Sequence, residues 1–368
     1  MAQTFTIRPY RPGDEEQIVE LLEIVFEGWP HFDLGCSPLD HWIWKFKDNP
    51  LHMNLIILAE AGGKIIGCDH AFITRIKVGE RVLLSRQGVD AAVHPDFRGI
   101  GVYSKMKKLK IEMDSKLNLG FVYWATMNPI FKKSFEREDR LEFPHPVIEM
   151  NRILDVDLHV KKSATRKAWL KKYGFYALKT LKKIEGVYSG ATSTSRSNFQ
   201  ISEVERFDDR IDAFWQSMKD SYSFVTERSR EYLNWRYCDL RGGKYIIRQA
   251  EEDGHLIGYI VLRINRYDQD YPKGFIVDLC TLTNRLDCAD ALIASAIGFF
   301  DERKVNITSY RALKGHPHER LFGRYGFLDN RDRIMVGYEP LLLGREQDSF
   351  KNTPSNRLLF QHGDIDWI

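Results

Sequence analysis

The stretch Val93-His94-Pro95-Asp96-Phe97-Arg98-Gly99-Ile100-Gly101-Val102-Tyr103-Ser104 decides the fold of this chain. It ends a run that predicts a strand over 82–93, and apolar residues recur at helical spacing from Val102 to Leu117. Glycines let the backbone approach an anion, and a helix N-terminus attracts that anion through free N–H groups and its dipole. Arg98 and the lysines that follow add positive charge. The stretch therefore predicts a strand, a loop and a helix that bind a pyrophosphate.

The residues on either side of this stretch predict further strands and helices. Runs of β-branched residues bounded by turn residues are typical of strands, and apolar residues three or four positions apart are typical of helices. Ala61-Gly62-Gly63 is a hairpin turn by composition. Strands are predicted over residues 3–8, 54–60, 64–76, 82–93 and 121–126, and helices after Pro12, around Trp42 and near Asn128.

A similar order of elements returns in the second half of the chain, after the small, polar residues 189–195. We infer a diverged duplication and predict the α/β class, with an α+β mixed sheet, in two similar domains in tandem. A length of 368 residues also suits two domains. The predicted domains are residues 1–150 and 199–345, joined by a basic helical linker over 151–198 and followed by a tail over 346–368.

The string Arg98-Gly99-Ile100-Gly101-Val102-Tyr103 resembles the acetyl-CoA signature of the GNAT (Gcn5-related N-acetyltransferase) superfamily, Gln/Arg-x-x-Gly-x-Gly/Ala. The order of predicted elements over residues 3–150 is also similar to that family. One departure is Tyr103, followed by Ser104, at the last small position, which implies a locally reshaped pocket. The resemblance implies an N-terminal domain that binds acetyl-CoA as co-substrate through Ala92, Val93, Arg98, Gly99, Ile100, Gly101, Val102, Tyr103 and Ser104.

The same resemblance implies that a primary amine attacks the thioester directly. A backbone N–H at Ala92 or Val93 would polarise the thioester carbonyl. A base must first take a proton, because an ammonium cannot attack. Where histone-modifying members carry a Glu, this chain has Gln87, which can hold a water. Asp90 is a second catalytic candidate, on the same face as Gln87 only if a bulge interrupts the strand.

Two further positions bear on proton transfer. Asp69 and His70 form another candidate pair on the preceding strand, with a surface carboxylate and a hydrogen-bonded imidazole as the alternative. The family's usual acid, a Tyr on the helix after the fifth strand, falls at Phe135, which has no proton to donate. The resemblance then implies that the thiolate leaves unassisted or is protonated by water.

The second domain resembles a degenerate GNAT copy. Residues 278–286 contain no glycine and cannot cradle a pyrophosphate in the same way, whereas Leu321–Phe327 is similar to the end of the GNAT fold. In the tandem relatives that this chain resembles, the terminal carboxylate serves as the base. We therefore expect the tail to offer Asp364, Asp366 or the carboxylate of Ile368 to the acceptor amine, or else to pack on the second domain.

Composition and charge limit the remaining classes. A net charge of +3 argues against a general nucleic-acid binder, and five scattered cysteines without a CxxC pair indicate no metal site. Residues 151–198 are strongly basic, so the helix over 166–183 either bridges the domains or contacts a membrane or a lipid-linked acceptor. Asp14, Glu15 and Glu16 argue against a secretory signal, and we expect a cytoplasmic protein.

The sequence therefore predicts an acetyl-CoA-dependent N-acetyltransferase that acts on a small-molecule amine, such as an amino sugar, an amino acid or a polyamine-like acceptor. Two alternatives stay open. The chain binds CoA without turnover as a sensor or scaffold, or it transfers an aminoacyl or longer acyl group to cell-envelope precursors. The sequence leaves the oligomeric state open.

Overall fold

The computed structural model describes residues 4–30, 33–126, 141–162, 198–267, 270–342 and 350–366. The chain divides into two compact units. The first unit consists of Met1–Phe143, Glu231–Gly243 and Met335–Asn352, and the second of Pro144–Arg230, Lys244–Ile334 and Thr353–Ile368. The two units therefore interleave along the chain, whereas the domain limits predicted from the sequence run consecutively.

Both units combine helices with strands of mixed direction, and the predicted α/β class is confirmed. The helices described are α1 (Glu15–Phe26), α2 (Pro38–Phe46), α3 (Val102–Lys116), α4 (Val156–Lys162), α5 (Arg210–Lys219), α6 (Arg230–Cys238), α7 (Leu286–Glu302) and α8 (Pro317–Arg324). The strands are β1 (Thr6–Pro9), β2 (Leu55–Ala61), β3 (Lys64–Val78), β4 (Arg81–Val93), β5 (Phe121–Thr126), β6 (Leu141–Glu142), β7 (Val147–Ile153), β8 (Gln200–Val204), β9 (Phe224–Thr226), β10 (Ile246–Glu252), β11 (His255–Asn265), β12 (Lys273–Thr281), β13 (Ile307–Leu313) and β14 (Leu328–Pro340).

In the first unit, β1 to β4 form an antiparallel sheet in chain order, and β5 joins it parallel to β4. The second half of β14 pairs antiparallel with β5, from Met335 opposite Thr126 to Pro340 opposite Phe121. The sheet of the first unit is therefore completed by a strand from late in the chain.

Helices cover both faces of this sheet. On one face α3 packs against a core that includes Leu55, Ile73 and Met106, each at most 2% exposed. On the other face lies α2, where Trp42 and Trp44 are buried. The α2 helix begins at a sharp N-cap, because the Ser37 hydroxyl accepts a hydrogen bond from the Asp40 N–H (3.1 Å).

The α6 helix completes the α2 side of the first unit through a pair of tryptophans. The rings of Trp44 and Trp235 stack at 4.8 Å, and each indole N–H donates to the other residue's carbonyl oxygen (3.1 Å). Phe72 stacks on Trp235 as well (5.4 Å). Gly242 follows this helix, and a Cβ built there would lie 2.4 Å from the Trp44 ring. The tryptophan pair therefore leaves no room for a side chain at Gly242.

We expect Gly242→Ala to lower the free energy of unfolding by about 1 to 3 kcal/mol, because the buried Trp44 ring would have to move. Gly298→Ala is the matched control, since Gly298 lies on an exposed position of α7 with nothing within 4 Å of the added carbon. Urea unfolding of both variants measures the difference. Equal stability of the two variants would contradict this packing.

The second unit repeats the strand order of the first. Strands β8, β10, β11 and β12 pair antiparallel, and β13 joins parallel to β12 after the crossover helix α7. Strand β7 pairs with β13, and the first half of β14 pairs with β7. The α7 helix packs on a core that includes Ile276, Leu279 and Phe300. The repeated order agrees with the inferred duplication.

Several histidines are buried in the neutral form. Burial lowers the pKa of His41 and His70 in the first unit, and of His316 in the second, to about 4. An unfolded histidine titrates near pH 6.5. Between about pH 6.5 and 4 the unfolded chain thus binds more protons than the folded chain at these positions, so the free energy of unfolding falls as the pH falls.

The thermal midpoint is therefore expected to be lower at pH 5 than at pH 7.5. In His70→Gln this dependence should weaken, because one of the buried imidazoles no longer titrates in the unfolded state. His255→Gln, at the exposed first residue of β11, is the control and should keep the wild-type slope. A wild-type midpoint that is constant between these pH values would refute the assignment of neutral buried imidazoles.

Candidate functional site

The candidate site begins where two parallel strands of the first unit separate. Strands β4 and β5 pair from Ser85 opposite Phe121 to Gln87 opposite Tyr123, and no later pair between them occurs among the described residues. Strand β4 nevertheless continues to Val93. A gap, called the first gap here, therefore opens between residues 88–93 and the end of β5. A strand edge of this kind offers backbone groups to an extended ligand, except where the chain itself bonds them, as at the Asp90 and Val93 carbonyls.

The glycine loop follows directly at the end of β4. Gly99 and Gly101 have φ values of +80° and +84°, a conformation that a side chain disfavours, and an added Cβ at either position meets nothing within 4 Å. The first hydrogen bond of α3 runs from the Lys105 N–H to the Gly101 carbonyl (3.1 Å). Amides in the first turn have no acceptor within the helix. The loop therefore fits a phosphate-bearing ligand at the start of α3.

The side chains of the loop divide into two groups. Val102 is buried in the core beneath α3, and Tyr103 and Val93 pack against that core. Tyr103, the departure from the family signature, thus packs on the protein's own interior. Arg98 donates from Nε to the Val93 carbonyl (3.1 Å), which ties the loop to the strand end. The exposed group is Arg98, Gly99, Ile100, Gly101 and Ser104.

A β-bulge in β4 determines which way Asp90 faces. Val89 pairs with His70 and Ala92 with Cys68, so Asp90 and Ala91 together oppose Asp69. Asp90 has a φ of +45°. Its carboxylate accepts hydrogen bonds from Lys45 Nζ (2.7 Å) and Trp29 Nε1 (3.1 Å). The bulge thus turns Asp90 toward α2.

Gln87 lies on this same face. It is directly opposite Phe72, which stacks on Trp235 of α6, and residues directly opposite in a sheet share a face. Gln87 is 2% exposed. Burial alone would raise the pKa of Asp90, but the charge of Lys45 and the hydrogen bonds from Lys45 and Trp29 hold it below its ordinary value. Asp90 is therefore an ionised carboxylate on the α2 face.

Asp69 and His70 do not form a catalytic pair, since adjacent strand residues point to opposite faces. His70 Nε2 accepts from Trp42 Nε1 (3.1 Å), and its Nδ1 donates to the Asp90 carbonyl (3.0 Å). Asp69 faces α3 and pairs with Lys110. His70 is thus a hydrogen-bonded core imidazole, whereas Asp69 is a buried partner of a lysine and not a surface carboxylate.

Two buried ion pairs join α3 to the sheet, and sequence reasoning missed both. Arg86 donates two hydrogen bonds to the Asp114 carboxylate (2.5 and 2.7 Å), and Lys110 forms an ion pair with Asp69. Lys110 is 5% exposed, so it adds nothing to the positive surface beside the glycine loop. The spacing of Lys110 and Asp114, one turn apart on an otherwise apolar stripe, was the available signal.

The acidic residues of the tail lie in the second unit. Asp364 is fully enclosed: its Oδ1 accepts from Arg228 Nη2 (2.8 Å) and its Oδ2 from the Gln361 N–H (2.7 Å). Asp366 is partly exposed. Ile368, Phe135 and the basic helix over 166–183 lie outside the described residues. The structure thus brings Gln87, Asp90 and the glycine loop together in one unit, and Asp364 and Asp366 in the other.

Residues 6–137 match a family model described as an acetyltransferase (GNAT) domain. The chain thus carries a GNAT domain over these residues. This acyltransferase domain confirms the recognition made from the glycine loop. No curated protein sequence matches the chain significantly.

Solved structures of two acyltransferases and of a tandem GNAT protein share the fold over 91–92% of this chain. A conserved protein of unknown function from Enterococcus faecalis V583, titled a probable N-acyltransferase, is 13% identical with a TM-score of 0.64, covering 92% of this chain and 73% of its own. Saccharomyces cerevisiae N-myristoyltransferase with bound myristoyl-CoA is 11% identical (TM-score 0.60; 92% and 80% covered). A tandem GNAT protein from the clavulanic acid biosynthesis pathway is 12% identical (TM-score 0.55; 91% and 98%). The predicted tandem GNAT architecture is confirmed.

Two further observations concern other ligands. Among the described residues, no group of three or more His, Cys, Asp or Glu side chains is arranged to hold a metal ion. Within the same residues no helix has the length and apolar character needed to cross a membrane.

We expect Gly101→Asp to weaken acyl-CoA binding by about tenfold or more, because it adds negative charge and a side chain beside the first-turn amides of α3. Gly254→Asp is the matched control: Gly254 has a φ of +79°, has open space around it and lies in the β10–β11 turn of the second unit. Titration calorimetry measures both affinities. Equal loss of affinity in the two folded variants, or no binding by the wild type, would contradict the assignment of the loop.

Proposed function

We propose that this chain transfers an acetyl group from acetyl-CoA to the primary amine of a small molecule, such as an amino sugar, an amino acid or a polyamine-like acceptor. One observation carries the proposal: the glycine loop lies at the end of β4, beside the first gap. A ligand with phosphates at one end and an extended thioester arm matches this arrangement. The amine nitrogen bonds to the carbonyl carbon, the carbon–sulfur bond breaks, and the thiolate takes a proton from water.

On the donor side, Arg98 and the backbone of Gly99 to Ser104 hold the phosphates. Arg98 contributes a fixed positive charge at the exposed rim of the loop. The backbone at Ala92 and Val93 then borders the thioester and stabilises the oxyanion that develops during attack. Support for these roles comes from the positive-φ glycines and from the strand separation.

On the acceptor side, we assign Asp90 and Gln87 to the amine. The ionised carboxylate of Asp90 attracts the ammonium group, and Gln87 holds a water that relays the proton away. The position of Asp90 at the bulge, on the face that Gln87 shares, supports this assignment. Lys45, which pairs with Asp90 at 2.7 Å, keeps the carboxylate ionised and oriented.

The tail offers other proton acceptors. Both carboxylate oxygens of Asp364 already accept hydrogen bonds, which supports an anchoring role for this residue. Asp366 and the terminal carboxylate of Ile368 stay candidate bases of the tail. A cytoplasmic location and a contact of residues 166–183 with a membrane or lipid-linked acceptor also stay predictions, as does the absence of nucleic-acid binding.

A CoA-binding sensor or scaffold is the second candidate function. The ion pair with Lys45 lowers the pKa of Asp90 and so makes this carboxylate a weaker proton acceptor, which favours binding without turnover. A third candidate, transfer of an aminoacyl or longer acyl group to cell-envelope precursors, has support from the myristoyl-CoA bound in one structural neighbour. A comparison of acyl-CoA donors of different chain length distinguishes these candidate functions.

The proposal predicts that Asp90→Asn lowers kcat/KM for the amine by about 100-fold and leaves acetyl-CoA affinity within about twofold. Asparagine removes the charge and keeps one acceptor oxygen, which serves Trp29 or Lys45 but not both. Release of CoA thiol, measured with acetyl-CoA over a panel of amines, reports turnover. Asp96→Asn, at an exposed carboxylate near the loop, is the control and should retain wild-type turnover.

Either of two results would overturn parts of this assignment. Wild-type turnover in folded Asp90→Asn would remove Asp90 from the acceptor side. A wild type that binds acetyl-CoA but releases no thiol with any amine would favour the sensor, and preference for a longer acyl donor would favour the third function.

A further inference from the structure

The second unit contains a strand separation like that of the first. Strands β12 and β13 pair from Lys273 opposite Ile307 to Ile276 opposite Tyr310, and both continue beyond the last pair. A bulge leaves Val277 unpaired opposite β11, just after the pairing with β13 stops. The space between residues 277–281 and 311–313 is called the second gap here. Its edges carry buried backbone groups that need partners.

Gln361 supplies backbone partners for one edge of the second gap, at Leu279. Its side-chain Oε1 accepts the Leu279 N–H (2.9 Å), and its Nε2 donates to the Leu279 carbonyl (3.2 Å). The Tyr310 hydroxyl, from the opposite strand, donates to the same Oε1 (3.1 Å). The side-chain amide thus pairs with Leu279 as the peptide group of a neighbouring strand would.

Residues 358–365, called the plug segment here, are held by further buried bonds. The Leu359 N–H donates to the Phe224 carbonyl (2.8 Å), which anchors one end on β9. The Gln361 N–H donates to Asp364 (2.7 Å), and Asp364 accepts from Arg228 (2.8 Å). The Gln361 amide also donates to Asp278 (2.9 Å).

Buried ion pairs also hold the plug segment in place. Arg228 bridges Asp278 of β12 and Asp364 of the plug segment, each at 2.8 Å, and all three side chains are at most 1% exposed. Removing one partner from a buried ion pair leaves an uncompensated charge, so such pairs fix one arrangement of their elements. The plug segment is therefore a specifically recognised occupant of the second gap.

The helix beside the second gap does not offer a phosphate site that would compete for this space. The approach to α7 over residues 282–286 contains no glycine. Arg285 is bonded to two carboxylates there, Glu252 (2.6 Å) and Asp287 (2.9 Å). Negative charge at this helix start repels phosphates. The second unit therefore has no glycine loop at α7 to bind the phosphates of a CoA ester, and its strand gap is already occupied by the plug segment.

We propose that the second gap is an amide-recognition site whose resident ligand is the plug segment, with the Gln361 side-chain amide as the recognised group. The ligand class is an extended chain that carries an amide able to bond both the N–H and the C=O of Leu279. This goes beyond the proposed function, because it assigns a binding role to the second unit that does not involve the acyl donor.

The first experiment removes the amide and follows Cys280, which adjoins Leu279 and is fully buried. In Gln361→Met we expect maleimide labelling of Cys280 to accelerate by about tenfold or more, since the plug segment opens locally. Gln216→Met, at an exposed glutamine of α5, is the matched control and should keep the wild-type rate. Cys68, buried in the first unit, should stay unlabelled in both variants, which separates local opening from global unfolding.

A peptide added in trans tests whether the amide itself is recognised. A synthetic peptide of residues 356–366 should slow Cys280 labelling in Gln361→Met, whereas the same peptide with Met in place of Gln361 should not. Protection of Cys280 in the folded variant, or equal action of the two peptides, would overturn the proposal.

Hydrogen exchange of the wild type decides the matter if Gln361→Met does not fold. The Leu279 amide, bonded to Gln361, should exchange through the same opening as the Ile365 amide of the plug segment, and at lower denaturant than the core amides of α7. Exchange of Leu279 only together with α7 would show that the plug segment is an inseparable part of the core and would refute the proposal. None of these measurements uses turnover, so a failure of the proposed acetyl transfer leaves them unaffected.

Discussion

In each unit, two parallel strands stop bonding to each other before either strand ends. The rest of the structure depends on this constraint. In each unit it leaves backbone groups facing a gap, and buried groups of this kind require partners. The first unit combines its gap with a glycine loop and so suits an acyl-CoA ligand. The second unit lacks that loop, and a glutamine from its own chain meets the need instead. One architectural feature thus serves two different purposes.

Much of the donor site could be predicted from the sequence, because it depends on local chemistry. Gly99 and Gly101 before an apolar helical stripe signal a helix start with exposed amides, and both adopt positive φ as the turn requires. The order of strands and helices follows from periodicity and turn residues in the same way. Such patterns lie within a few consecutive residues of the sequence, so no knowledge of tertiary contacts is needed to detect them.

The acceptor side and the second gap could not be predicted to the same depth. Asp90 faces α2 only because a bulge shifts the register opposite Asp69, and a bulge without a glycine leaves no mark in the sequence. The pairing of Gln361 with Leu279 joins residues 82 positions apart, and Arg228 meets Asp364 across 136 positions. Such contacts arise from tertiary folding and have no periodic signal. The interleaving of the two units also depends on tertiary contacts, so the order of residues along the chain does not indicate it.

That interleaving has a consequence for how the protein is made. The first unit needs α6 for the Trp44–Trp235 pair and β14 for the open edge of β5, yet both are encoded from residue 230 onwards. During translation, residues 1–143 leave the ribosome with an unpaired strand edge and an uncovered tryptophan, features that promote aggregation. Folding of the first unit can therefore finish only after β14 has been synthesised, and until then its exposed strand edge favours aggregation.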